Sequence, residues 1–137
     1  MARRRRKRPV ALPEFEELGT IIVPSIFNRE RLAELAAAQK LFGGTIRARL
    51  VNDRVDGRRH VTVVLRYTSF RVTAGVLDDQ LSRRFRSKIC WLNAVNRVAV
   101  CEAQLVGDPT APDYLTVWLN PPRDEHQQRE HMARAGL

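Results

Sequence analysis

Asp56-Gly57 stands between two stretches of alternating hydrophobicity, and this arrangement constrains the fold of the chain more than any other. Upstream, Thr45 to Asn52 places Ile46, Ala48 and Leu50 on one face of an extended chain and Arg47, Arg49 and Val51 on the other. Downstream, His60 to Val72 reads as one long strand with Val61, Val63, Leu65 and Tyr67 in register. An Asp-Gly pair between such runs is a frequent hairpin turn, because both turn positions need a positive φ. A β-hairpin is expected. If its apolar sets share the core face, Arg47, Arg49, His60 and Arg66 share the opposite face.

The flanking segments fill in the rest. Thr20 to Val23, a β-branched run ended by Pro24, suits a buried strand. Arg29 to Phe42 is built of strong helix formers, with Asn28 as N-cap, Phe27 placed to staple onto Leu32, and Gly43-Gly44 as the stop. Leu77, Leu81, Phe85, Ile89 and Leu92 recur at helical spacing and predict a second helix from about Val76 to Asn96. Arg83 and Arg86 fall away from its apolar stripe, and Arg84 and Lys88 fall near it. Val98 to Val106 and Tyr114 to Leu119 read as strands joined through Gly107, Asp108, Pro109 and Pro112, and Arg123 to Ala135 as a polar last helix. The order strand, helix, strand, strand, helix, strand, strand, helix predicts an α+β fold. Its outline is a ferredoxin-like (split βαβ) sheet with an added strand and a C-terminal helix.

With 137 residues, 44% of them hydrophobic, the chain is long enough for one packed core. Charge is unevenly spread. Arg3, Arg4, Arg5, Arg6, Lys7 and Arg8 run uninterrupted into Pro9, and no acidic residue precedes Glu14. Of the 24 Lys and Arg, six lie in that run, leaving 18 against 15 acidic residues elsewhere, so the run carries most of the net +9. Like charges in sequence repel and hold a chain extended until a polyanion neutralises them. Residues 1–13 are therefore expected to be a disordered basic arm and linker, and residues 14–137 a single α+β nucleic-acid-binding domain. Only Cys90 and Cys101 are present, without C-x-x-C spacing, and no apolar segment follows the basic start. This predicts an intracellular protein, nuclear in a eukaryotic host and otherwise cytoplasmic or associated with a ribonucleoprotein or virion. No apolar run approaches the roughly 20 residues of a membrane span, and the arm has no interleaved Trp, Phe or Leu, so no membrane partner is expected.

Arginine forks two hydrogen bonds onto phosphate oxygens, which makes Arg3, Arg4, Arg5, Arg6, Lys7 and Arg8 the leading nucleic-acid contacts. The same stretch through Pro9 resembles a nuclear localisation signal, which would imply an import receptor as a partner. Arg47, Arg49, Arg66, Arg83 and Arg86 would extend the basic track; the bland alternative is an ordinary solvated face. That face lacks the aromatic pair on which RNA-recognition sheets stack bases.

Candidate catalytic groups are few. Thr73 to Asp79 resembles in outline the motif of homing endonucleases, whose acidic residue at a helix end holds a divalent metal, but here helical periodicity continues where that family turns into a strand. Complementing the helix dipole is the simpler role for Asp78 and Asp79. A metal-dependent nuclease built on them, with Glu102, is the rival of another class; the expectation is no enzyme, no metal and no cofactor. His126 and His131 lie about 140° apart on a helix and do not share one face. Cys90 and Cys101 are read as small core residues, and Trp91 and Trp118 as core or interface residues rather than base-stacking groups.

The reading is a non-catalytic nucleic-acid-binding protein of low sequence specificity, with RNA favoured over DNA because arginine-rich arms fold on structured RNA. A homodimer is compatible with it. The arm resembles those on capsid proteins of small RNA viruses, and implies RNA packaging, or RNA sequestration of the silencing-suppressor kind; a ribonucleoprotein subunit fits equally. The helix-rich body does not suit a jelly-roll capsid.

Overall fold

The computed structural model describes residues 7–122. The chain runs through strand β1 (Arg8–Ala11), helix α1 (Pro13–Glu16), β2 (Ile21–Ile22), β3 (Ser25–Ile26), α2 (Arg29–Phe42), β4 (Ile46–Val55), β5 (Arg58–Tyr67), β6 (Phe70–Val76), α3 (Asp79–Ala94), β7 (Arg97–Val106) and β8 (Thr116–Leu119). The strands form a single sheet in the order β2-β8-β7-β4-β5-β6-β3, antiparallel throughout that path, with β1 added parallel to the first half of β7. It curls as a half-barrel.

The hairpin forms as its turn residues demand. Asp56 and Gly57 take φ of 52° and 77°, and β4 pairs with β5 from Arg47 opposite Arg66 to Val55 opposite Arg58. A second turn was silent in the sequence. The predicted long strand breaks at Thr68-Ser69, where Tyr67 pairs with Phe70 across a tight reversal and Thr68 takes φ of 52°. Glycine, Asn or Asp normally fills such a position, so Thr68 carries no turn signature.

That extra reversal corrects the split βαβ outline. It turns the chain once more before α3, so β6 and β7 run antiparallel, as do β3 and β4. Both helical connections therefore join antiparallel strands, whereas a βαβ unit joins parallel ones. The helix boundary shifts for the same reason: β6 continues to Val76, and α3 starts at Asp79.

Arg8 to Ala11, placed by sequence in the arm and linker, forms an edge strand, Arg8 pairing with Arg97 and Ala11 with Val100. An edge tolerates Pro9, which has no N–H to donate. Arg3, Arg4, Arg5 and Arg6 lie outside the described residues, as do the predicted last helix, His126 and His131.

The curl follows from the short segment between β2 and β3. These strands sit at opposite ends of the sheet path, yet only Val23 and Pro24 separate them. At about 3.8 Å per Cα step, the two sheet edges must approach within roughly 11 Å there. Val23 is 2% exposed, and its N–H donates to Val117 O on one edge while the Phe27 N–H donates to Ala74 O on the other. The single predicted strand at Thr20 to Val23 is thus a clasp between edges.

One face of the sheet packs against the helices. Leu32 and Leu35 of α2, Phe85 and Ile89 of α3, and Phe15 of α1 join Ile46, Ala48, Leu50, Val63 and Leu65 in one buried cluster. Phe15 meets Phe85 edge-on with centroids 5.2 Å apart, and Glu14 pairs with Lys88, so the single turn of α1 is pinned to α3. The Tyr67 hydroxyl donates to Gly43 O at the end of α2. Asn28 occupies the N-cap position of α2 without capping it; its side-chain amide donates instead to Thr73 O.

Gly75 marks the tightest approach. A Cβ there would lie 2.0 Å from Ser25 O and 2.9 Å from Val23 Cγ1, so only glycine lets the clasp lie against β6. Gly75→Ala is expected to destabilise the protein by about 3 kcal/mol or more, since backbone rather than a flexible side chain must move. Urea unfolding followed by circular dichroism reads this as a lowered midpoint; an unchanged midpoint would mean that the clasp is not seated as described.

Candidate nucleic-acid interface

The face opposite the helices carries the arginines. Alternation from Ala48 and Leu65 in the core sends Arg47, Arg49 and Arg66 to the other side, as expected from sequence. The Thr68 turn adds Arg71, which sequence reasoning missed because it lay within the supposed long strand. Arg47 sits directly opposite Arg66, and Arg66 directly opposite Arg71, so three guanidinium groups form a row across β4, β5 and β6. Directly opposed residues have Cβ atoms about 5 Å apart, and like charges so placed are destabilising.

Arg49 lies two residues along β4, half-buried, with its Nε enclosed and lacking a hydrogen-bond partner among the described residues. Burial, then Arg71 and Arg66, lowers its pKa from the ordinary arginine value. These are the penalties expected where positive charge is crowded and poorly solvated. Among the described residues no ion pair reaches Arg47, Arg49, Arg66 or Arg71. Glu102, opposite Arg47 across β4 and β7, is the acidic neighbour in register. A groove of roughly 690 Å³ runs over this face, lined by Arg47, Arg49, Arg66, Val98 and Val100, with Lys7 at its border. Lys7 thus joins the sheet arginines, while the Arg8 backbone is held in β1.

A second basic cluster lies at the other end of the hairpin. Arg54 sits directly opposite Arg59 near the turn, and Arg58, Arg59, Arg83 and Arg86 converge around His60 and Asp79. His60 belongs here and not on the arginine row: its Nδ1 lies 3.5 Å from an Asp79 carboxylate oxygen at the start of α3. The hairpin end is tied to α3 by the Asn52 amide, which donates to Arg86 O. Arg83 and Arg86 therefore serve a site separate from Arg47, Arg49 and Arg66. Arg54, Arg58 and Arg59 were legible as charges flanking the turn, but only the strand register brings them to α3.

Other side chains fall as follows. Asp78 is the N-cap of α3, its carboxylate accepting from the Leu81 N–H at 2.8 Å, and Asp79 faces His60. Among the described residues no three His, Cys, Asp or Glu side chains gather as a metal would require. Arg84 stacks over the Phe85 ring at 5.3 Å, and Lys88 pairs with Glu14. Trp118 is fully buried, whereas Trp91 is 61% exposed, so the core reading holds for the first and fails for the second. Cys101 is buried and Cys90 exposed, which likewise divides the expectation for the cysteines. No described helix is long and apolar enough to cross a membrane. No family model, curated protein or solved structure matches the chain.

Two measurements check this arrangement. Arg66→Gln removes the middle of the row and is expected to stabilise the fold by about 0.2–1 kcal/mol at low ionic strength, the gain shrinking as salt screens the repulsion. Urea midpoints at two salt concentrations read it, and a destabilised variant would mean that Arg66 has a partner. The thiols give the second. Burial, reinforced by Glu16, pushes the Cys101 thiol up to about 12, so it stays protonated and shielded. A thiol reagent near neutral pH should modify Cys90 alone in the native protein and both cysteines in denaturant; rapid native modification of both would place Cys101 outside the core.

Proposed function

We propose that the protein binds nucleic acid through its phosphate backbone, with low sequence specificity and without catalysis, and that RNA is favoured over DNA. The row of Arg47, Arg66 and Arg71, with Arg49 beside it, carries this reading. The fold opposes like charges face to face and, among the described residues, offers them no ion pair, so a polyanion in the groove relieves a repulsion already present in the free protein. Arg3, Arg4, Arg5 and Arg6 would continue the track beyond Lys7. Arg83 and Arg86, with Arg54 and Arg59, would take it up at the far end of the hairpin. Seven residue steps along β4 lead from Arg47 to Arg54, a distance of ~23 Å, or about seven steps of a nucleic-acid strand at ~3.4 Å rise. RNA is favoured because an arginine-rich arm folds readily onto structured RNA. Packaging or sequestering RNA, or a place in a ribonucleoprotein, are the settings in which such binding serves, with import through Arg3 to Pro9 compatible with either.

Salt dependence tests the proposal. Replacing Arg47, Arg66 and Arg71 together by Gln should weaken RNA binding and flatten the log-log salt slope by up to about 2.7, at ~0.9 per duplex phosphate contact. Deleting residues 2–6, which removes Arg3 to Arg6, should flatten it by up to about 3.6. Unchanged affinity and slope in both variants would overturn the proposal. RNA incubated with Mg²⁺ or Mn²⁺ should remain intact; cleavage abolished by Asp78→Asn would replace binding with metal-dependent hydrolysis.

A further inference from the structure

The hairpin end and α3 enclose a cleft of roughly 780 Å³, distinct from the groove over the arginine row. Its lining combines three features, the first two of which a bare phosphate site does not need. Trp91, the larger part of its surface exposed to solvent, stands in the cleft beside Arg54, Arg59 and Arg86. In the cleft wall, Asn52 Oδ1 is enclosed and has no hydrogen-bond partner among the described residues, although the amide nitrogen of the same side chain donates to Arg86 O. Enclosed polar atoms in native proteins are nearly always partnered, so this orphan points to a ligand that supplies a polar group. Finally, Arg54 directly opposes Arg59, a second like-charge pair set by strand register.

An aromatic face, an unsatisfied polar atom and guanidinium groups correspond to the parts of a nucleotide: a base to stack, a base edge to hydrogen-bond, and a phosphate to neutralise. In a duplex the base faces are stacked on one another and are not available to Trp91. We infer that this cleft is a subsite for an unpaired nucleotide, whose base stacks on Trp91 while Asn52 meets its edge and Arg54, Arg59 and Arg86 hold the flanking phosphates. The subsite rests on the nucleic-acid reading above and adds selectivity for single-stranded segments. Binding then divides between two surfaces: the arginine row accepts any phosphate backbone, and the Trp91 cleft accepts only a strand with a free base.

Trp91 reports on its own occupancy, because Trp118 is fully buried and serves as an internal reference. The full chain is titrated with a single-stranded oligoribonucleotide, a duplex of equal phosphate number, and inorganic polyphosphate, while tryptophan emission and affinity are followed. The single strand should quench the solvent-exposed emission, and duplex and polyphosphate should bind with little quenching. Trp91→Ala should weaken single-strand binding roughly 5- to 100-fold and leave duplex affinity unchanged, while Trp91→Phe, which keeps a stacking face, should retain most of the affinity. An unchanged urea midpoint in both variants shows that the fold is intact.

Single-strand affinity unaltered by Trp91→Ala would overturn the subsite and leave the phosphate-binding proposal standing. Equal quenching by duplex and polyphosphate would do the same, and quenching that rises with protein concentration alone would show that a second copy of the chain covers Trp91. Failure of the unmodified protein to bind either nucleic acid would remove both readings together.

Discussion

The register of β4 against β5 is the constraint on which the rest of the molecule depends. Pairing Ala48 with Leu65 and Leu50 with Val63 builds the central layer of the core. The same register sets Arg47 opposite Arg66 on the other face and Arg54 opposite Arg59 at the turn. A slip of one residue would exchange the faces, sending arginine into the core and leucine to water. Asp56-Gly57 holds the register by fixing a two-residue turn, so two residues that make no proposed contact themselves determine where every sheet arginine lies.

The curl has a different origin. A strand pair alone would give a twisted ribbon open on both edges. Here the segment through Val23 and Pro24 reaches from β8 to β6 and draws the two edges together, with Gly75 giving the backbone room to pass. Arg49 lines the groove on the arginine face, where burial and the neighbouring guanidinium groups oppose its charge. Fold stability and anion affinity are thereby set against each other: the core tolerates a repulsive row on its outer face, and the row gains when a polyanion neutralises it.

Much of the architecture was legible in the sequence. Asp-Gly between alternating runs predicted the hairpin, and Gly43-Gly44 and the leucine periodicity placed both long helices to within a few residues. What escaped was encoded in tertiary contact rather than in residue type. Thr68 turns with no turn signature because Tyr67 and Phe70 are held in the sheet on either side. Arg8 to Ala11 looks like a linker and becomes a strand only because β7 offers it an unpaired edge. The site divided along the same line: Arg47, Arg49 and Arg66 share a face by simple alternation, whereas Arg71 needed the unseen turn. His60 has the right parity for that face, yet at the hairpin end it meets Asp79 at the start of α3. Trp91 was read on residue type as a core or interface residue, and its helical position leaves it out of the core and in solvent.

Whether the arginine row seats phosphate is tested most directly at Arg49, whose Nε–H is enclosed and has no acceptor among the described residues. Side-chain nitrogen–proton correlation spectra of the full chain, recorded during titration with RNA, resolve arginine Nε–H groups individually once assigned by substitution. The Arg49 proton should move downfield as it gains a phosphate acceptor, together with those of Arg66 and Arg71, and the movement should reverse at high salt. RNA binding at full affinity with the Arg49 resonance unmoved would contradict phosphate seating in the row.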